Sequence, residues 1–207
     1  AKDEIFPTGG PVRATANIVY DTVVPVIQSV TLEPSSGYRK LGDTVTITVT
    51  PSAAEPNSGL LTPSTVTFNG RSITLTPASS NSGPFTGTYT VTDGDVNVTN
   101  PSATGVTLTD SAGNVSGEGS SAASTLVIDS YKPVISSVAL SPASGYRKIG
   151  DTVTITATVT HNEANLSGAA KVLSSSTATF NGQSVAVATG PTGASSPYTF
   201  TYIYTVA

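Results

Sequence analysis

Residues 43–50 read Asp43-Thr44-Val45-Thr46-Ile47-Thr48-Val49-Thr50. Val45, Ile47 and Val49 fall on one side of an extended chain and four threonines on the other, the period-two pattern of a half-buried β-strand. Threonine is β-branched, so the outer face favours extended backbone as well. Shorter runs of the same kind stand at residues 26–32, 65–68, 72–76, 85–91, 105–109 and 125–128, separated by Gly, Pro, Asn, Asp and Ser. No stretch carries a helical period. Seven short strands in about 100 residues match a two-sheet antiparallel sandwich.

A long repeat sets the domain organisation. Residues 21–50 recur at 129–158 with a constant offset of 108, so that Ser36-Gly37-Tyr38-Arg39-Lys40 returns as Ser144-Gly145-Tyr146-Arg147-Lys148. Thr67-Phe68-Asn69-Gly70 returns as Thr179-Phe180-Asn181-Gly182, and Tyr89-Thr90-Val91 as Tyr204-Thr205-Val206. Duplication on this scale means tandem domains. Three segments are expected: an N-terminal strand or hairpin segment at 1–21, a complete domain at 22–129, and a domain at 130–207 that lacks its last two strands.

Residues 1–21 align without a gap against 109–129, with Gly9 on Gly117, Ala14 on Ala122, Val19 on Val127 and Asp21 on Asp129. One end therefore carries what the other lacks. A sandwich short of two strands exposes unpaired backbone and an apolar groove, so another strand is expected to fill it. The expected donor residues are Ile5, Phe6, Val12, Ala14, Ala16, Ile18, Val19 and Tyr20; the expected acceptor groove is Val153, Ile155, Phe180, Phe200, Tyr202 and Tyr204. Donation between copies propagates head to tail as a homopolymer. The alternative is that the 207 residues are a stretch of a longer tandem array.

Composition narrows the function classes. Apolar residues make up 37 % and charged residues 11 %, the net charge is −4, and no apolar run approaches the roughly 18 residues that span a bilayer. No membrane insertion and no nucleic-acid binding are expected; Tyr38-Arg39-Lys40 and its copy read as turns before strands. Cys, Met and Trp are absent, which removes disulfides, Cys-zinc sites and thiol nucleophiles. A chain without initiator Met reads as a product trimmed after a signal peptide, or as a fragment.

His161 is the one histidine and is expected at the surface; it has no acidic partner at a spacing that would make a catalytic triad, and no enzyme is expected. Asn97-Val98-Thr99, Asn114-Val115-Ser116 and Asn165-Leu166-Ser167 fit the N-glycan acceptor pattern. Asp93, Asp95, Asp110, Asn114 and the junction residues Asp21 and Asp129 offer hard oxygen ligands suited to Ca²⁺ as a cofactor; the alternative is that they are turn residues bonding their own backbone. The linker through Asp129-Ser130-Tyr131-Lys132-Pro133 is short and stiffened by proline.

The chain resembles the bacterial Ig-like (Big-type) tandem repeats of surface adhesins and extracellular filament proteins. The resemblance lies in Asp21-(x)3-Pro25 and Asp129-(x)3-Pro133, the Gly-Asp-Thr-Val-Thr-Ile-Thr strand, the run from Tyr89 to Asp95, and Thr109-Asp-Ser-Ala-Gly-Asn114. It implies tandem immunoglobulin-like antiparallel β-sandwiches, the C-terminal one incomplete, and an extracellular, cell-surface setting. It also implies calcium-stiffened junctions and a role as fibre subunit, or as an adhesion or spacer module for a surface glycan or protein receptor.

Overall fold

A computed structural model describes residues 20–52, 60–78, 82–162, 177–193 and 195–207. The donor residues Ile5, Phe6, Val12, Ala14, Ala16, Ile18 and Val19 lie outside the described residues, and of the donor set only Tyr20 falls within them. The architecture is all-β, with several sheets and, among the described residues, no helix, consistent with a β-sandwich.

The first unit runs through β1 (Ile27–Glu33), β2 (Ser36–Lys40), β3 (Thr44–Pro51), β4 (Leu61–Pro63), β5 (Val66–Phe68) and β6 (Arg71–Ile73). It continues through β7 (Thr76–Pro77), β8 (Phe85–Thr90), β9 (Val98–Thr99), β10 (Ala103–Thr104), β11 (Leu108–Asp110) and β12 (Thr125–Asp129). The second unit holds β13 (Val134–Ser141), β14 (Thr152–Thr160), β15 (Ala178–Phe180), β16 (Gln183–Val185), β17 (Val187–Thr192) and β18 (Tyr198–Thr205).

The alternating stretch at Asp43 becomes β3, paired antiparallel with β1 and β8 at the centre of the sheet β1-β3-β8-β7. Val45, Ile47 and Val49 point into the core, while the threonine side chains stay at least partly accessible. They join Val66, Phe68, Phe85, Tyr89, Leu126 and Ile128 in one cluster. Full burial stabilises by about 1.5–3 kcal/mol per large apolar side chain. Phe68 and Tyr89 meet edge to face at 5.1 Å. Asn69 and Gly70, both at positive φ, close the two-residue β5–β6 turn, a geometry that Asn-Gly accepts at little steric cost.

The second unit repeats part of this plan. The sheet β13-β14-β18-β17 copies β1-β3-β8-β7, the β15–β16 hairpin copies β5–β6, and Asn181-Gly182 reproduce the positive-φ turn. A separate cluster of Ile155, Ala157, Val159, Val185, Tyr198, Phe200 and Tyr202 forms its core.

Two features depart from expectation. The first unit carries four short strands after β8 rather than two, and each of β9 and β10 spans only two residues, too few to display a period. In addition β12 lies parallel to β2, Thr125 opposite Ser36 and Asp129 opposite Lys40, within an otherwise antiparallel plan.

Candidate assembly site

The strand β12 closes the first unit. Leu126 and Ile128 are fully buried, and Leu32 of β1 is 6 % exposed. β2 is held in place by its own turn: Lys40 N–H donates to Asp43 Oδ2 at 3.0 Å, and the Arg39 guanidinium donates to Tyr38 O at 2.6 Å. The Asp43 carboxyl lies below its ordinary value, first because it accepts that Lys40 N–H.

The second unit has the same turn without the partner. Lys148 N–H donates to Asp151 Oδ2 at 3.0 Å and Arg147 donates to Tyr146 O at 2.8 Å. Gly150 N–H reaches Val206 O at 2.9 Å, as Gly42 N–H reaches Val91 O. Yet 144–148 is not a strand, and among the described residues nothing pairs with it. Every residue from 132 to 150 is exposed. Leu140, the counterpart of Leu32, is 39 % exposed, and Val138, the counterpart of buried Val30, is 60 % exposed.

A groove of about 630 Å³ opens here, lined by Leu140, Tyr146, Val153, Phe180 and Tyr204 among others. The first-unit counterparts of Leu140, Val153, Phe180 and Tyr204, namely Leu32, Val45, Phe68 and Tyr89, are buried in the cluster that includes Leu126 and Ile128, while Tyr38, the counterpart of Tyr146, is exposed. Of the expected acceptor residues, Val153, Phe180 and Tyr204 line the groove. Ile155, Phe200 and Tyr202 do not; they are consumed in the unit's own core, because β14 and β18 already pair with each other. Leu140 and Tyr146 were not expected, and only the 108-residue correspondence to Leu32 and Tyr38 could have pointed to them. Tyr20 is exposed, and Asp21 O accepts from Asn114 Nδ2 at 3.2 Å.

The candidate calcium ligands are spread over several turns. Asp95 Oδ1 lies 2.5 Å from Arg71 Nη2, and its Oδ2 accepts from Tyr89 Oη and Thr92 N–H, each at 2.8 Å. Asp110 Oδ1 accepts the N–H groups of Ala112 and Asn114, and its Oδ2 accepts from Asn114 Nδ2. Burial opposes ionisation of Asp110, but these bonds outweigh it and hold the carboxyl below its ordinary value. Asp21 and Asp129 cap equivalent turns, accepting from Val23 N–H at 3.0 Å and Tyr131 N–H at 3.2 Å, and Asp93 is exposed. Among the described residues no three His, Asp or Glu side chains converge into a metal-binding group. This geometry favours the turn-residue alternative.

His161 corrects its expectation: it is 8 % exposed, drawn in because the chain after β14 folds onto the linker. Its Nε2 lies 3.1 Å from Tyr131 O and 3.4 Å from Asp129 Oδ2, while buried Nδ1 has no hydrogen-bond partner among the described residues. Asn97 completes the seam between units, donating through Nδ2 to Asn162 O at 3.0 Å and accepting Ser130 N–H at 2.9 Å. At 2 % exposure Asn97 is no glycan acceptor, whatever its triplet suggests. The triplet at Asn165 lies outside the described residues. No helix among the described residues is long and apolar enough to cross a membrane.

Comparison with protein-family models, with curated proteins and with solved structures returned no match.

Proposed function

We propose that this chain is a structural subunit of an extracellular surface filament, built from immunoglobulin-like units. In this reading the second unit is completed, head to tail, by the N-terminal segment of the next subunit. One observation carries it: Leu140 stands 39 % exposed over an open groove where its repeat counterpart Leu32 is buried under a closed sheet. Exposed apolar grooves beside an unpaired edge are interaction sites or aggregation hazards, and a donated strand resolves both. The low charge, the Ser/Thr-rich strand faces and the absence of Cys suit a secreted, non-enzymatic protein, and the cell-surface setting follows from the resemblance to adhesin repeats.

The test is deletion of residues 1–20. The full chain is expected to form concentration-dependent polymers visible by electron microscopy, and the deleted chain to stay unpolymerised, with the segment returned as a free peptide giving capped, soluble monomers. Fibres from the deleted chain overturn strand donation.

A second reading has its own support. In the first unit the four strands β9–β12 follow β8, whereas the 1–21 segment aligns with only the last part of that stretch. An adhesion or spacer segment of a larger surface protein would supply all four from downstream sequence. Appending residues 92–129 after Val206 would then close the groove within one chain and abolish self-association.

A further inference from the structure

We infer that the groove takes residues 13–21 of a second copy as one parallel strand, with Ile18 opposite Gly145, Val19 opposite Tyr146, Tyr20 opposite Arg147 and Asp21 opposite Lys148. The inference rests on the head-to-tail reading and adds the direction, the register and the limits of the donor.

The first unit is the template. There Leu126 faces Gly37, Val127 faces Tyr38, Ile128 faces Arg39 and Asp129 faces Lys40 along a parallel ladder. The acceptor 36–40 and its copy 144–148 are identical in sequence, and their turns hold the same hydrogen bonds. Shifting β12 by the same 108 residues gives Asn17-Ile18-Val19-Tyr20-Asp21. Leu126 and Ile128 are the inward positions of β12, so Ile18 and Tyr20 become the inward positions of the donor. A slip of one residue would bury Asn17, Val19 and Asp21 instead and turn both large apolar groups to solvent, which selects one register.

Charge agrees with that register. Asp129 stands opposite Lys40 in the first unit, and Asp21 stands opposite Lys148, beside Arg147, in the proposed one. Immediately upstream, residues 121–124 border Val30 and Leu32. Their counterparts Arg13-Ala14-Thr15-Ala16 would lie over Val138 and Leu140, the side chains left open in the second unit.

The correspondence stops above residue 13. Gly119 N–H donates to Val106 O at 2.7 Å, and its counterpart Pro11 has no N–H to give. Ile5 and Phe6 fall against the turn residues Gly113 and Asn114. The donor is therefore a single strand and not the hairpin that the N-terminal sequence suggests.

The chain has no native Cys, so the register can be read by engineered pairs in the full protein. Val19 and Tyr146 are on the outward face by correspondence with Val127 and Tyr38, and Tyr146 is fully exposed, so its substitution leaves the core intact. Val19→Cys with Tyr146→Cys is expected to give, on mild oxidation, a ladder of covalent multimers that collapses under reductant. Val19→Cys with Lys148→Cys, two positions out of register on the same face, is expected to assemble without giving a covalent ladder. A free peptide of residues 13–21 should suppress the ladder, and the same peptide carrying Ile18→Asp and Tyr20→Asp should not. A ladder from the Lys148 pair, or a disulfide closed within one chain, overturns the inference. Assembly by light scattering without the Tyr146 cross-link overturns the register and leaves head-to-tail assembly standing; absence of any assembly removes both.

Discussion

The Tyr89 hydroxyl donates to Asp95 Oδ2 at 2.8 Å, inside a network in which Arg71 lies 2.5 Å from the other carboxylate oxygen. Burial opposes ionisation of Asp95, but the Thr92 N–H, the Tyr89 hydroxyl and the Arg71 guanidinium outweigh it, and the carboxyl lies below its ordinary value. A lowered folded-state value stabilises the fold above the unfolded value of about 4 and loses that contribution as pH falls through the folded one. The first unit is expected to weaken in acid, and Asp95→Asn to flatten that acid limb while costing on the order of 1–3 kcal/mol at neutral pH. Urea melts at neutral and acid pH check both.

Tyr89 sets the opposite limb. Burial is the main cause that pushes its phenol up to about 12. A raised value gives stability that is complete below the unfolded value of about 10 and is lost as pH climbs through the folded one. Tyr89→Phe should remove this alkaline loss, read as a melting temperature less sensitive to pH above about 10.

The repeat offers a matched pair of truncations. Leu32→Ala, in the packed first unit, is expected to cost about 2–5 kcal/mol. Leu140→Ala, at the equivalent position of the open groove, should cost the isolated chain no more than about 0.5 kcal/mol. If the groove is filled on assembly, Leu140→Ala instead weakens self-association, seen as a higher concentration for polymer onset in sedimentation.

The seam between units is held by Asn97 to Asn162 and by His161 to Tyr131 and Asp129. Asn97→Ala and His161→Ala should each cost about 0.5–1.5 kcal/mol per lost bond and let the two units tumble more independently. NMR relaxation measured separately on β3 and β14 reports that difference.

Chelation is expected to leave the melting temperature unchanged. The Asp95 and Asp110 oxygens are spent on Arg71, Tyr89 and their own turns, and an ion that binds only the folded state would have to raise stability to be detected. Calorimetry with EDTA and with added Ca²⁺ decides it; a rise with Ca²⁺ refutes the turn-residue account.

Much of the fold was legible because it is local. The alternation of Val45, Ile47 and Val49 against threonine shows the central strand directly, and the 108-residue offset shows its copy. What was not legible depends on distant partners. The pentapeptide Ser-Gly-Tyr-Arg-Lys is a strand at Ser36–Lys40, where β12 lies beside it, and is not one at 144–148, where no strand among the described residues does. No local rule separates identical sequences. Ile155 and Tyr202 were misplaced in the groove for a related reason: alternation identifies an inward face but not which neighbour covers it. His161 was misread because its burial comes from the linker thirty residues away in sequence.

The parallel pairing of β12 with β2 also has a mechanical meaning. β12 leads straight into the linker, so a pull on the following unit drags it lengthwise past β2. Its rungs are then loaded together instead of parting one after another like a zipper. A donated strand in the same orientation would meet tension in the same way, making each joint between subunits as resistant to drag as the joints within them.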